Sequence, residues 1–181
     1  MIDLRLENDL RANNMKSLFF TRIAIPADVS KILAFEQDNK EWFLNYLPHS
    51  YLDKMTPEFV QKQIFDQNHK KHYLVYTHSG YLIGRFNLYF LDDDHKTIEV
   101  MYRMDQNWSG KGIASYILKR LVAYWASSGV EEIYATTLKS NLASNRLLIR
   151  AGFNLSGQIA QPILIRDERK EAIEYLWSIN G

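Results

Sequence analysis

Residues 97–129 read TIEVMYRMDQNWSGKGIASYILKRLVAYWASSG, and residues 132–138 read EIYATTL. The first eight residues alternate. Ile98, Val100, Tyr102 and Met104 fall on one face, with Glu99, Met101 and Arg103 on the other, which is the period of a strand. Beyond Asn107-Trp108-Ser109-Gly110-Lys111-Gly112 the period changes. Ile113, Ile117, Leu118, Leu121, Val122 and Trp125 share one helical face, and Gly129 closes the helix. Glu132 to Leu138 is a second strand. Strand, glycine turn, helix, strand is a βαβ unit, whose two strands run parallel with a right-handed crossover.

Upstream, Leu18 to Ile25 reads as a strand. Pro26 stops it and opens a helix through about Asp38, and a second helix runs from about Lys40 to Leu47, ending before Pro48. Thr56-Pro57-Glu58 has the form of a helix start, with a capping hydroxyl, proline at the first position and an acid in the first turn. Tyr73 to Thr77 and Tyr81 to Phe90 form a hairpin around Ser79-Gly80, and Leu91 to Lys96 is a solvated loop. Downstream, Ala143, Leu147, Leu148 and Ala151 mark a helix closed by Gly152. Phe153 to Ile159 is then a strand. The spacing predicts a last hairpin, Ile163 to Ile165 with Ala172 to Ile179, around the charged turn Arg166 to Lys170. Hairpins on both sides of a βαβ unit make a mixed α/β sheet flanked by helices.

The 181 residues fit one domain, and a net charge of +1 argues against a dedicated nucleic-acid binder. The chain has no cysteine, which excludes a disulfide framework, a thiolate metal site and a cysteine nucleophile. His49, His69, His72, His78 and His95 show no metal-ligand spacing, so no metal is expected. No stretch approaches the roughly 20 apolar residues of a membrane span. Met1 to Leu10, with Asp3, Arg5, Glu7 and Asp9, lacks the apolar run of a secretory signal. These features point to a cytoplasmic protein without a membrane partner.

Chemistry concentrates at two places. In Asn107 to Gly112 the glycines open backbone conformations closed to other residues and let amide N–H groups approach an anion. The helix that follows adds unpaired N–H donors and the positive end of its dipole, and Lys111 adds a charge. A phosphate-bearing ligand and a simple tight turn both fit this pattern. The spacings of the nucleotide P-loop and of the GxGxxG fingerprint are absent. The second place is Asn141 and Ser144, at the mouth of a helix directly after a strand, the edge of an α/β sheet where ligands bind. Capping of that helix by Asn141 or Ser140 fits equally well.

Taken together, the two places resemble the GNAT superfamily of acyl-CoA N-acyltransferases. Its phosphate turn, (Gln/Arg)xxGx(Gly/Ala), corresponds to Asn107 through Gly112, with Asn107 in place of the usual first residue. Its later signature corresponds to Asn141, Ser144 and Gly152-Phe153. The resemblance spans roughly Leu18 to Ile179. It is greatest to the ribosomal-protein N-terminal acetyltransferases, above all the serine-modifying branch, through Asn39-Lys40-Glu41-Trp42, Ile83-Gly84, Glu99 with Tyr102, and the Asp167 to Tyr175 region.

The resemblance implies one acyl-CoA N-acyltransferase domain over residues 1–181. Its mostly antiparallel sheet would carry one splayed parallel strand pair. It implies acetyl-CoA as cosubstrate, an amine acceptor such as a ribosomal-protein N-terminus, and compatibility with a homodimer. Cofactor-binding positions would be Tyr102, Met104, Asn107, Trp108, Ser109, Gly110, Lys111, Gly112, Ile113, Ala114, Asn141 and Asn145. Backbone N–H groups around Met101 to Arg103 would meet the developing oxyanion. Leu148 stands where many members carry a tyrosine acid, so Ser144 is the candidate donor to the leaving sulfur. Ile163 falls where the serine-modifying branch places a glutamate, so Glu99, acting through water, is the candidate base, with Glu171 and Glu174 in reserve. Trp42 and Tyr46 would wall the acceptor site, and a place as core aromatics fits both equally well. A small-molecule amine acetyltransferase and a non-catalytic acyl-CoA-binding module are the alternative readings.

Overall fold

The computed structural model describes residues 18–180, so the reading of Met1 to Leu10 lies outside the described residues. Strand β1 is Phe19–Ile23. A 3-10 turn at Pro26–Asp28 leads into α1 (Val29–Asp38), followed by α2 (Lys40–Phe43), α3 (His49–Leu52) and α4 (Pro57–Phe65). Next come β2 (Lys70–Thr77), β3 (Leu82–Phe90), β4 (Thr97–Met104), α5 (Ile113–Ser127), β5 (Glu132–Leu138) and α6 (Leu142–Arg150). The chain closes with β6 (Asn154–Gln158), β7 (Ile163–Ile165), β8 (Glu168–Lys170) and β9 (Ala172–Ser178).

One sheet takes the order β1-β2-β3-β4-β5-β9-β6. Its neighbours are antiparallel except β4 and β5, which are parallel, as the βαβ reading requires. Each face carries its own apolar layer. On one side Phe86, Leu88, Ile98 and Val100 meet Ile117, Leu121 and Trp125 of α5 and Leu148 of α6. On the other, Leu74, Tyr76 and Leu82 meet Ile32 and Phe35 of α1 and Val60 and Ile64 of α4. Thr56 caps α4, its side chain accepting from the Phe59 N–H at 3.2 Å.

The structure corrects the predicted last hairpin. Ile163–Ile165 pairs with Glu168–Lys170, not with Ala172 onward, and β9 instead lies between β5 and β6. Arg166 and Asp167, with φ of 47° and 65°, form the two-residue turn. Positive φ at both central positions is the type I′ hairpin geometry that Asn-Gly usually signals. Arg-Asp carries no such signal, so the turn reads as longer in sequence than it is. The predicted Lys40 to Leu47 helix stops at Phe43 and continues as hydrogen-bonded turns. There the Asn45 amide donates to the Trp42 and Glu41 carbonyls, a side chain competing with the helical ladder. Strand β2 begins at Lys70, ahead of the predicted Tyr73, because β3 pairs with it as far as Lys70↔Tyr89.

Candidate active site

Strands β4 and β5 pair only through Thr97↔Glu132, Ile98↔Ile133 and Glu99↔Tyr134. Beyond Glu99, β4 stays with β3 as far as Gly84↔Met104, and β5 stays with β9 as far as Leu138↔Ala172. The two strands therefore part into a wedge that widens toward their carboxyl ends. The glycine turn lies past one arm and the start of α6 past the other. Tyr102 enters from the β4 arm and Ser144 from the first turn of α6. The Tyr102 hydroxyl and Ser144 Oγ share a hydrogen bond of 2.7 Å.

The glycine turn is built from below by Asp105, which is only 2% exposed. One carboxylate oxygen accepts from the Asn107 N–H at 2.8 Å. The other accepts from Asn39 Nδ2 and from the Tyr81 hydroxyl, both at 3.2 Å. Asn39 Oδ1 accepts from the Gln106 N–H at 2.9 Å, so the α1–α2 junction is clipped to the turn. Ser109 donates its hydroxyl to the Asp105 carbonyl, and Lys111 lies over the Trp108 ring, 5.1 Å from its centre. Gly110 and Gly112 take φ of 74° and 79°. A Cβ added at either would meet nothing within 4 Å, so the outer side of the turn is open. No side chain caps α5 at Gly112, so the first N–H groups of the helix, those of Ile113 and Ala114, have no capping side chain. Uncapped N–H donors at a helix start are the groups that bind anions.

At the start of α6, Asn141 is the cap, its Oδ1 accepting from the Ser144 N–H at 3.2 Å. Asn145 Nδ2 donates to the carbonyls of Lys139 and Leu138, bracing the corner between β5 and α6. Glu99 is half-buried on the opposite face of β4. Burial pushes its carboxyl up, and the nearby Glu174 pushes in the same direction. Glu174 also accepts from the Ser156 hydroxyl. Glu171 is exposed and paired with Lys139 at 2.8 Å, at the rim rather than in the wedge. Among the described residues no group of His, Asp and Glu is arranged to hold a metal ion.

The acetyltransferase (GNAT) domain family matches residues 18–154, well over half of the chain. The chain belongs to the GNAT acetyltransferase family. It is an acyl-CoA-dependent N-acetyltransferase, and acetyl-CoA is its cosubstrate. The ribosomal-protein-serine acetyltransferase of Escherichia coli (strain K12) is 27% identical over 135 residues, covering 71% of this chain and 75% of that protein. A solved ribosomal L7/L12 alpha-N-protein acetyltransferase in complex with coenzyme A superposes with a TM-score of 0.80 at 22% identity, over 90% of this chain and 95% of its own. A spermidine N-acetyltransferase from Vibrio cholerae in complex with CoA and spermine has a TM-score of 0.74 at 18% identity, over 90% of this chain and 96% of its own.

Several residues that shape the site in this GNAT acetyltransferase carry no signal in sequence. Arg103, read only for its backbone, sends its buried side chain to Glu36 of α1 at 2.8 Å and to the Tyr51 hydroxyl at 2.6 Å. Glu36 also pairs with Arg85 of β3. Elements α1, β3 and β4 are thus joined by one carboxylate between two guanidinium groups. Asp105 is equally hidden, and Asn39, read above only as part of the Asn39-Lys40-Glu41-Trp42 stretch, gives no sign of its role at the glycine turn, because the two meet from 66 residues apart. Trp42 and Tyr46 pack edge to face, 5.3 Å between ring centres. The β7–β8 hairpin docks beside them through Arg166, which donates to the Glu41 and Leu44 carbonyls.

Proposed function

We propose that this acetyltransferase modifies the α-amino group of a protein N-terminus, of ribosomal-protein type, in the cytoplasm. The observation that carries the reading is Glu99, half-buried beside the wedge with its carboxyl raised by burial and by Glu174. An α-amino group titrates near roughly 7.7–8.0, so a carboxylate acting through one water is a sufficient base; a primary amine of lysine type, near roughly 10.4, demands more. The similarity to the Escherichia coli ribosomal-protein-serine acetyltransferase supports the same acceptor class.

In this reading residues 1–181 work as one domain. The N–H groups of Asn107 to Ala114 hold the pyrophosphate. Tyr102, Met104, Asn141 and Asn145 line the pantetheine arm, and N–H groups around Met101 to Arg103 meet the developing oxyanion. Ser144 hydrogen-bonds the leaving sulfur. Trp42, Tyr46 and the β7–β8 hairpin flank the acceptor.

A polyamine is the second reading. It is favoured by Glu174 lying close enough to Glu99 to help raise that carboxyl, and by the likeness to a spermidine N-acetyltransferase. Thiol release from acetyl-CoA, measured across peptides with N-terminal serine or alanine and across spermidine and spermine, decides between them. We expect kcat/KM at least about tenfold higher for a peptide, a difference of about 1.4 kcal/mol in transition-state binding. The opposite ranking moves the assignment to polyamines, and no release with any acceptor leaves an acyl-CoA-binding module.

A further inference from the structure

The Tyr102 hydroxyl reaches Ser144 Oγ at 2.7 Å, across the wedge from a different element. Each hydroxyl owns one proton and two lone pairs, so only one of the two protons can lie between the oxygens. If Ser144 donates to Tyr102, it has no proton left for a sulfur. If Tyr102 donates, Ser144 accepts along one lone pair and its own O–H turns free. A hydroxyl that accepts a hydrogen bond is also the stronger donor, since such chains polarise one another.

The surroundings of Tyr102 suit the donor role. Its ring stacks on Phe86 at 5.6 Å and an interplanar angle of 28°, and it packs against the apolar layer under α5. The hydroxyl therefore has little freedom. Burial drives the phenol far above its ordinary value, so it stays protonated at any working pH.

We propose that Tyr102 is a positioning residue for acetyl transfer: its O–H donates to Ser144 Oγ and thereby aims the Ser144 proton at the thioester sulfur. The proposal rests on the reading above that Ser144 serves the leaving group. In the step, the acceptor nitrogen forms the C–N bond, the C–S bond breaks, and its electron pair passes to sulfur. The nitrogen gives up one proton toward Glu99 and its water, and the sulfur takes one back from solvent. Tyr102 and Ser144 lend hydrogen bonds and finish with the protons they began with.

The test uses bound CoA itself, whose thiolate absorbs in the ultraviolet. The chain contains no cysteine, so CoA carries the sole thiol in the sample. Protein saturated with desulfo-CoA, which lacks the sulfur, serves as the blank for tyrosine. Wild type, Tyr102→Phe, Ser144→Ala and the double variant are titrated, with CoA affinity and melting temperature measured alongside. The phenylalanine retains the ring and its stacking. We expect Tyr102→Phe to lower the thiolate fraction at fixed pH by about threefold to tenfold, the range of one neutral hydrogen bond, with affinity little changed. Ser144→Ala lowers it at least as much, and the double variant matches Ser144→Ala because Tyr102 acts through Ser144. The same order should appear in kcat. An unchanged thiolate fraction in Ser144→Ala refutes the reading of Ser144, and the proposal with it. A loss in Ser144→Ala but none in Tyr102→Phe overturns the proposal alone. Additive losses in the double variant also overturn it, since Tyr102 then reaches the sulfur on its own.

Discussion

At Gly110 the backbone conformation and the chemistry coincide. With φ at 74° the residue sits where a Cβ is costly, and the space in front of it is open. Gly110→Asp adds that strain and places a negative charge where two phosphates are expected. At an effective dielectric between protein surface and water, one such charge within a few ångströms costs about 1–3 kcal/mol. Calorimetry should therefore show CoA affinity reduced at least about tenfold, with a smaller change in the melting temperature of the free protein. Unchanged affinity would remove the turn from the binding site. Asn141 shows the limit of reasoning from one residue. Its Oδ1 already accepts one hydrogen bond as the α6 cap, which leaves one lone pair and the Nδ2 amide for any contact with pantetheine.

At the scale of elements, the site is held in register by charges buried between α1, β3 and β4. Glu36, Arg85 and Arg103 are 4%, 3% and 8% exposed, so water screens them poorly. Removing the carboxylate leaves two buried guanidinium groups without their shared counter-charge, and Arg103 keeps the hydrogen bond to the Tyr51 hydroxyl. Breaking a buried pair in this way costs about 3–5 kcal/mol. Glu36→Ala should lose that much in denaturant unfolding. Because α1 leads into the segment bearing Trp42, the acceptor KM should rise as well. A loss below about 1 kcal/mol would show that the cluster is hydrated and that the helices are positioned by apolar packing instead.

For the molecule as a whole, the pH dependence of stability has an identifiable source. His72 is buried, its Nδ1 2.8 Å from Asn87 Oδ1. Burial, with Arg85 adding to it, lowers its pKa from 6.5 to about 4. The unfolded chain therefore binds a proton that the folded chain refuses. Stability from this group is complete above the unfolded value and declines as pH falls from about 6.5 to about 4, by up to about 3 kcal/mol. Burial pushes the Asp28 carboxyl up, but hydrogen bonds from Arg22, the Ile25 N–H and the Tyr76 hydroxyl together bring it below its ordinary value, so its share is lost only at still lower pH. Unfolding curves at several pH values should show the decline in wild type and a flatter profile in His72→Gln. Parallel profiles would assign the effect to other groups.

Features that depend on neighbours along the chain were legible before any coordinates. The strand–turn–helix–strand unit, the glycine turn and the parallel character of β4 and β5 follow from local periodicity and from the backbone freedom of glycine, while Asn141 and Ser144 stand out through the family resemblance. Contacts between residues far apart in sequence were not. The hydrogen bonds of Asp105 to Asn39 and Tyr81, of Glu36 to Arg103, and of Tyr102 to Ser144 join side chains that have equally ordinary solvated readings. The partner of Ile163–Ile165 is not marked locally either, because Arg-Asp occupies a turn usually marked by Asn-Gly. Local pattern reports which face a residue takes. Which charge or hydroxyl meets it there depends on how the sheet and helices stack, and that arrangement builds the wedge and brings Tyr102 within reach of Ser144.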